Sequence, residues 1–369
     1  MAPPARIERV RRRMGEAGID VLALSLGADL PWLTGYRAMP LERLTLLVLP
    51  RDGEAVLLVP GLEAPRVPDA GGAFVLRPWA ETEDAFDLAA GLIGRARSVA
   101  VSDRAWAGAL LALQERLPGA RWSSASVVTA PLRAVKDEEE IAALRAAAAA
   151  ADRVAGLLQT GGIGLVGRSE RDVSAEIAGH LVSEGHDRVN FAIVGSGPNG
   201  ASPHHEPGSR VIGAGEVVVC DFGGELALGG AVPYCSDITR TVATGDPGPE
   251  VRSCYEVLRA AQAAGVAAAR AGVAAEAVDG AARAVIADAG LGEYFVHRTG
   301  HGIGIEEHED PYLVAGNTTP LEVGHAFSVE PGIYLPGRFG MRLEDIVVVG
   351  PDGPDPLNRA DHALVSVEA

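Results

Sequence analysis

Four carboxylates stand where the sequence otherwise reads as buried strand. Asp221 follows the apolar run VVVC, Asp237 interrupts CSDITRTVAT, Glu330 follows AFSV, and Glu344 precedes DIVVVG. A carboxylate taken out of water needs a cation or hydrogen-bond donors to keep its charge. Several carboxylates gathered at one place repel one another unless a metal ion sits among them. One acidic residue at a strand end is ordinarily a solvated turn residue or the partner of an arginine. Here there are two pairs, each flanking a glycine-rich turn. Asp221 and Asp237 lie sixteen positions apart around Gly223, Gly224, Gly229 and Gly230, and Glu330 and Glu344 lie fourteen apart around Pro336, Gly337 and Gly340. Read as hairpins, both pairs occupy neighbouring strands, where opposed side chains are about 4.5–5.5 Å apart at Cβ. Each hairpin then aims two carboxylates at one ion site.

The histidines add to this pattern. Of nine in the chain, His204 and His205 fall in SPHHEPG, His297 and His301 in HRTGHGIG, and His308 in EEHEDPY. Gly300, Gly302 and Gly304 surround His301, a spacing that reads as room for backbone to approach a ligand. One imidazole with four carboxylates suits two divalent ions such as Mn, Fe, Co or Zn, whereas an all-oxygen cage suits Mg or Ca. The chemistry such a set supports is hydrolysis by a hydroxide bridging two ions roughly 3.5–4 Å apart.

The elements that must position these residues fall into two stretches. In the first, Ile7, Val10 and Met14 have helical spacing over 5–17, and VLALS at 21–25 reads as a strand. LTLLVLP (44–50) and EAVLLVP (54–60) read as a hairpin around Arg51, Asp52 and Gly53, with further strands at 73–77 and 98–102 and a helix at 105–117. This is an α/β domain spanning 1–130 with no cluster of chemistry-bearing residues, and the boundary is set near Pro131. The second domain, 131–369, opens on KDEEEIAALRAAAAAADRVAGLL (136–158), a helix acidic at its start as the helix dipole favours. A helix at 170–184 follows, then strands near 190–195, 216–222 and 237–243; helices at 249–271 and 275–289 precede strands at 325–330 and 342–349. Two helices followed by strands, twice over, suggests a duplicated ααββ unit enclosing a cavity. The fold class expected is α+β.

Composition narrows the functions open to the chain. Its net charge of −17, with 49 acidic against 32 basic residues, argues against nucleic acid as a partner. No stretch approaches the length of a membrane span, and Arg6, Arg11, Arg12 and Arg13 are not followed by the apolar core of an export signal. Cys220, Cys235 and Cys254 are odd in number and lack CxxC spacing, which suits a reducing compartment and a cytoplasmic location.

Taken together, SGPNGASPHH (196–205), CDFGG (220–224), CSDITRT (235–241), HRTGHGIGIEEHE (297–309) and SVEPGIY with GMRLED (328–345) resemble the pita-bread metallopeptidase family, which includes prolidase, aminopeptidase P and methionine aminopeptidase. WLTGY (32–36) and LRAVKDEEEIAALRAA (132–147) resemble its proline-peptidase branch, which carries an extra creatinase-type N-terminal domain. The resemblance implies five metal ligands, Asp221, Asp237, His301, Glu330 and Glu344, with Asp237 and Glu344 bridging two ions. It implies manganese as the ion, with Co, Zn and Fe as alternatives. It places His204, His297, His308, Tyr334 and Arg342 around the substrate, with His204, His308 and Glu330 catalytic, and gives His205 no assigned role. The stretch between Asp221 and Asp237 is longer than in many members. The activity implied is cleavage of the bond before proline in short peptides, by a dipeptidase, with an aminopeptidase P acting on longer peptides as the alternative; a homodimer is implied as well. Arg342 or a histidine is the cation expected to meet a dipeptide's carboxylate, unless Arg342 holds Glu344. Another C–N hydrolase and a silent binding protein on the same fold are the remaining rivals, and five intact ligand positions weigh against the silent one. The chain ends without a further segment after residue 369, which suits a short substrate pocket.

Overall fold

Short apolar runs separated by turn residues supply the strands of the first sheet. The computed structural model describes residues 3–230 and 232–367, and the chain divides into two units, Met1–Arg133 and Ala134–Ala369. The first unit holds helix α1 (Pro3–Ala17), strand β1 (Val21–Leu24), α2 (Asp29–Thr34), β2 (Leu46–Pro50), β3 (Val56–Pro60), β4 (Val75–Trp79), α3 (Ala85–Ile93), β5 (Ser98–Val101), α4 (Ala107–Arg116), β6 (Arg121–Ser124) and α5 (Ser126–Ala134). Its six strands run in the order β4-β3-β2-β1-β5-β6. The β2–β3 hairpin pairs antiparallel as its turn residues predict, while β5 pairs parallel to β1. The division falls before the last residue of α5, beyond Pro131, which lies inside that helix. Helices α2, α3 and α5 and strand β6 have no counterpart in the sequence reading.

The second unit begins with α6 (Glu138–Gln159), opened by a capping box in which Asp137 accepts from the Glu140 amide and Glu140 from the Asp137 amide. Then come α7 (Glu170–Ser183), β7 (Arg188–Ser196), β8 (Val217–Leu226), β9 (Tyr234–Thr244), α8 (Pro249–Ala268) and α9 (Ala275–Asp288). The chain closes with β10 (Gly300–Gly302), β11 (Glu309–Leu313), β12 (Ala326–Val329), β13 (Gly332–Leu335), β14 (Phe339–Arg342), β15 (Asp345–Gly350), β16 (Gly353–Pro356) and β17 (Val365–Val367). One sheet runs β17-β9-β8-β7, another β11-β10-β12-β15-β16, and β13 and β14 form a separate ribbon. Two helices followed by strands does occur twice, in a chain of the α+β class.

Alternation along β8 and β9 decides what reaches the interior. Val218, Cys220, Phe222, Ile238 and Val242 pack with Val154, Leu158, Val173 and Ile177 of α6 and α7 in one core. Strand side chains alternate in direction, so Asp221, Asp237 and Thr239 are turned to the opposite face. Asp221 stands across from Thr239 and Asp237 across from Gly223. The two aspartates are therefore diagonal neighbours, normally about 7–8 Å apart, and not the directly opposed pair expected from their spacing. Ala231, in the connection between these strands, lies outside the described residues.

The second pair of acids also departs from a plain hairpin. Val329 pairs with Asp345 in the β12–β15 ladder, and Gly332 with Arg342 in the β13–β14 ribbon. Both ladders share one register, broken where Glu330 and Glu344 stand outside any strand. The break frees these carboxylates from the regular pleat.

Candidate metal centre

β8 and β9, the β12–β15 break and β10 bring the four acids and the imidazole of the sequence pattern to one cavity of about 520 Å³. Its wall includes Asp221, Asp237, His301, Glu330, Glu344 and Arg342, with His204, His297, Arg298, Glu307 and His308, and apolar patches from Phe191, Ile193 and Pro203. Asp237, His301 and Glu344 each offer one ligand atom within 4.8 Å of the others. Glu330 Oε1 lies 3.2 Å, and Asp237 Oδ2 3.8 Å, from His301 Nε2. The His301 Nδ1–H faces the Gly302 carbonyl at 3.2 Å, which turns Nε2 toward the carboxylates.

The glycines flanking His301 serve a purpose other than the one their spacing suggested. A Cβ at Gly300 would overlap the Ser328 carbonyl, and one at Gly302 the Asp310 carbonyl. They let β10 lie against its neighbours and so hold His301 at the cavity wall, rather than opening backbone to a ligand.

Burial sets the electrostatics. It drives the carboxyls of Asp237 and Glu344 far above the usual carboxylate range, and neighbouring acids push the same way: Glu344 and Asp221 on Asp237, Glu330 and Asp221 on Glu344. Burial raises Asp221 too, against the pull of Arg342. At Glu330 burial is outweighed by His301, His297 and Arg342, which hold its carboxyl down at about 2. The Asp221 Oδ1 atom is buried and has no hydrogen-bond partner among the described residues. An acid-rich wall with an unmatched buried oxygen and an open imidazole nitrogen fits divalent cations.

Arg342 engages four of its five N–H donors in the frame of this wall. Its Nη2 donates to Asp221 at 2.6 Å, Nε to Thr239 Oγ1 at 3.0 Å, and Nη1 to Tyr334 Oη at 2.8 Å and to the Pro203 carbonyl at 3.2 Å. It holds Asp221, not Glu344, and is 3% exposed. Thr239 in turn donates to Glu344 Oε2 at 2.7 Å. Thr239 was missed by the sequence reading, although its place two residues after Asp237 puts it on the same strand face.

Tyr334 stands behind the wall. It is buried, its hydroxyl is 2.9 Å from His297 Nε2, and burial raises its pKa to about 12. His205, left without a role by the sequence, is 2.8 Å from Glu170 Oε2; Ser196 and Asn199 also donate to this fully buried acid. The clasp fixes the 196–208 loop that carries His204 to the cavity. His308 stacks on His301 with ring centres 3.8 Å apart, and its Nδ1 accepts from Arg298 Nη2 at 3.2 Å. That contact leaves the His308 proton on Nε2. Arg298 and Glu307 were missed because each sits beside a histidine that drew the attention, and neither residue type alone marks a site.

Residues 141–351 match the model of metallopeptidase family M24, and residues 6–135 that of the creatinase/prolidase N-terminal domain. A probable dipeptidase PepE from Mycobacterium tuberculosis is 46% identical over 356 residues, covering 95% of this chain and 93% of that protein. An Xaa-Pro dipeptidase from Lactobacillus delbrueckii subsp. lactis is 35% identical over 367 residues, covering 97% and 98%. The crystal structure of dipeptidase PepE from Mycobacterium ulcerans superposes with a TM-score of 0.92 at 44% identity, covering 100% of this chain and 98% of that one.

Proposed function

The chain belongs to metallopeptidase family M24 and is a peptidase, and we propose that it is an Xaa-Pro dipeptidase working through two divalent ions. The observation that carries the reading is the excess of carboxylates around one imidazole on the cavity wall, with Asp221 Oδ1 unmatched. Asp221, Asp237, His301, Glu330 and Glu344 would hold the ions. The mixed imidazole–carboxylate set suits Mn, Fe, Co or Zn, and manganese is the ion we favour from the family resemblance. When bound, the ions supply Lewis acidity toward the scissile carbonyl and lower the pKa of water.

The remaining roles belong to side chains. Glu330, at the broken register, takes the proton of the attacking water and returns it to the prolyl nitrogen as the C–N bond breaks. His308, its Nε2–H turned free by Arg298, donates to the oxyanion that develops on the substrate carbonyl, the place where a fixed donor counts most. His204 closes the cavity from the clasped loop, and His297 orders Tyr334 behind it. The Xaa-Pro bond has no N–H, so no acceptor is required for it. Phe191, Ile193 and Pro203 supply an apolar wall suited to a pyrrolidine ring. The three buried, unpaired cysteines suit a reducing cytoplasm.

The test is a peptide panel with manganese-loaded enzyme: Ala-Pro, Ala-Pro-Ala and proline-free Ala-Ala. The reading expects Ala-Pro to have the highest kcat/KM. If Ala-Pro-Ala is cut tenfold better, the enzyme is an aminopeptidase P; if only Ala-Ala is cut, proline specificity is wrong.

A further inference from the structure

The cavity wall carries one carboxylate more than the ion site needs. Beside Asp221, Asp237, Glu330 and Glu344 stands Glu307, in the segment between β10 and β11 that also carries His308. Two divalent ions bring four positive charges, and the four ligand carboxylates match them. The ligand atoms gathered within 4.8 Å of one another come from Asp237, His301 and Glu344. The strongest acidic neighbours of Asp237 are Glu344, Asp221 and Glu330. Glu307 is set apart from that cluster.

Its own surroundings leave its charge unmatched. Among the described residues no lysine or arginine lies within ion-pair distance of Glu307. Arg188 draws on it from farther off, but the Arg188 side chain is 64% exposed and lies 3.7 Å from Glu225. Glu307 is half-buried, and burial pushes its carboxyl above the usual range. The Asn190 side chain hydrogen-bonds to it. Asn190 is the extra residue of a bulge in the β7–β8 ladder, between Val189 and Phe191, and a bulge re-aims a side chain. Asn190 Oδ1 is buried and has no hydrogen-bond partner among the described residues. A carboxylate without a cation, next to an amide oxygen without a donor, calls for a charged group with several N–H bonds. Phe191 and Ile193 follow Asn190 on β7 and line the same cavity. An aliphatic stem can lie along them and carry its charged head to the acid.

The substrate group that fits is a side chain. A peptide's α-amino group is bonded to the carbon next to the scissile carbonyl and stays beside the ions, whereas a charge that reaches past the ligand set needs a long stem. Lysine carries its ammonium on a flexible four-carbon stem, and arginine its guanidinium on a comparable one. From this geometry we infer that Glu307, together with Asn190 Oδ1, receives the cationic side chain of the residue before the scissile bond and gives the enzyme a preference for lysine or arginine there. The inference rests on the reading of the cavity as a two-ion peptidase site. Glu307 acts as a specificity residue and takes no part in the chemical step.

The test sets lysine against norleucine (Nle), which keeps the stem and lacks the charge. Values of kcat/KM for Lys-Pro and Nle-Pro, and for Lys-Ala and Nle-Ala, are measured with manganese-loaded wild type, Glu307→Gln and Glu307→Lys. Calorimetric binding of L-lysine against L-norleucine provides a readout independent of turnover. Wild type should prefer each cleaved lysyl peptide over its norleucyl partner. Glu307→Gln should lower kcat/KM for the lysyl peptide about 10- to 100-fold more than for the norleucyl one and weaken L-lysine relative to L-norleucine. Glu307→Lys should turn the preference from Lys-Pro toward Glu-Pro. If Glu307 serves only to shape the segment that carries His308, both peptides fall by the same factor, and the inference is overturned. It is also overturned if wild type does not prefer the lysyl peptide. If only the proline-free pair is cleaved, the Xaa-Pro reading fails, and Glu307 is judged on Lys-Ala and Nle-Ala. If neither pair is cleaved, the dipeptidase reading fails and calorimetry decides: an equal change in lysine and norleucine affinity on Glu307→Gln overturns the inference.

Discussion

Glu344 and Asp345 are neighbours in sequence and face opposite sides of the same chain segment, and their surroundings could hardly differ more. Behind the sheet, Asp345 is fully buried and fully matched: Arg240 Nη2 donates to it at 2.8 Å, Gln262 Nε2 at 2.9 Å, and His362 Nε2 lies 2.7 Å away. Burial works against its charge, but Arg240 and His362 prevail and its carboxyl is held below the usual range. On the cavity side, the Glu344 carboxylate accepts, among the described residues, only from the Thr239 hydroxyl, and burial forces its carboxyl far up. The first unit repeats the matched kind, with Asp29 held by Arg133 and Thr129. A buried acid with its cation beside it is a structural device. A cluster of buried acids short of cations is a binding site for what they lack.

That contrast can be broken by experiment, and the largest effect is expected at the cavity. Asp237→Asn and Glu344→Gln should each lower kcat/KM at least about a thousandfold, because several kcal/mol of transition-state stabilisation goes with the ions. In metal-free protein the same changes should raise stability in chemical denaturation, since each removes an unmatched buried charge. Substitutions that destabilise the metal-free form would place these acids with the structural kind.

Behind the sheet the sign reverses. Asp345→Ala strands Arg240, which is 0% exposed, and should cost about 3–5 kcal/mol in urea unfolding. Bound metal per folded chain should stay as in wild type. An unchanged unfolding midpoint would refute the distinction.

His308→Ala comes next, with an expected loss of about 2.7–4 kcal/mol in transition-state stabilisation, read mainly in kcat. Its metal content should be normal. Loss of metal instead would make His308 a ligand.

The smallest effect is on pH dependence, away from the cavity. His325 is buried, and burial together with Lys136 lowers its pKa to about 4. Between that value and the usual histidine pKa the unfolded chain binds a proton the native one refuses, so stability is full above about 6.5 and falls as pH drops toward 4. The fall should reach about 2–3 kcal/mol at most, and His325→Gln should have a shallower stability–pH slope over this window. An identical slope would show that His325 takes no part.

What the sequence made legible follows from the same contrast. Acids inside apolar runs are conspicuous, so Asp221, Asp237, Glu330 and Glu344 could be picked out, as could the long helix 138–159 with its capped, acidic start. Pairing partners are not written in local pattern. Arg342 meets Asp221 from 121 residues away, and no periodicity announces it. Strands β10, β13 and β14, of three or four residues, are too short to show alternation and owe their form to neighbours. Spacing implied directly opposed aspartates, but the actual register offsets them, because Gly223 occupies the position across from Asp237.

The account rests on the cavity acids being there for divalent cations, and ion stoichiometry tests that most directly. Protein equilibrated with manganese, dialysed and measured by elemental analysis should carry two ions per chain, and Asp237→Asn should lose both. A wild-type chain that retains none, or an Asp237→Asn chain that keeps two, would contradict it.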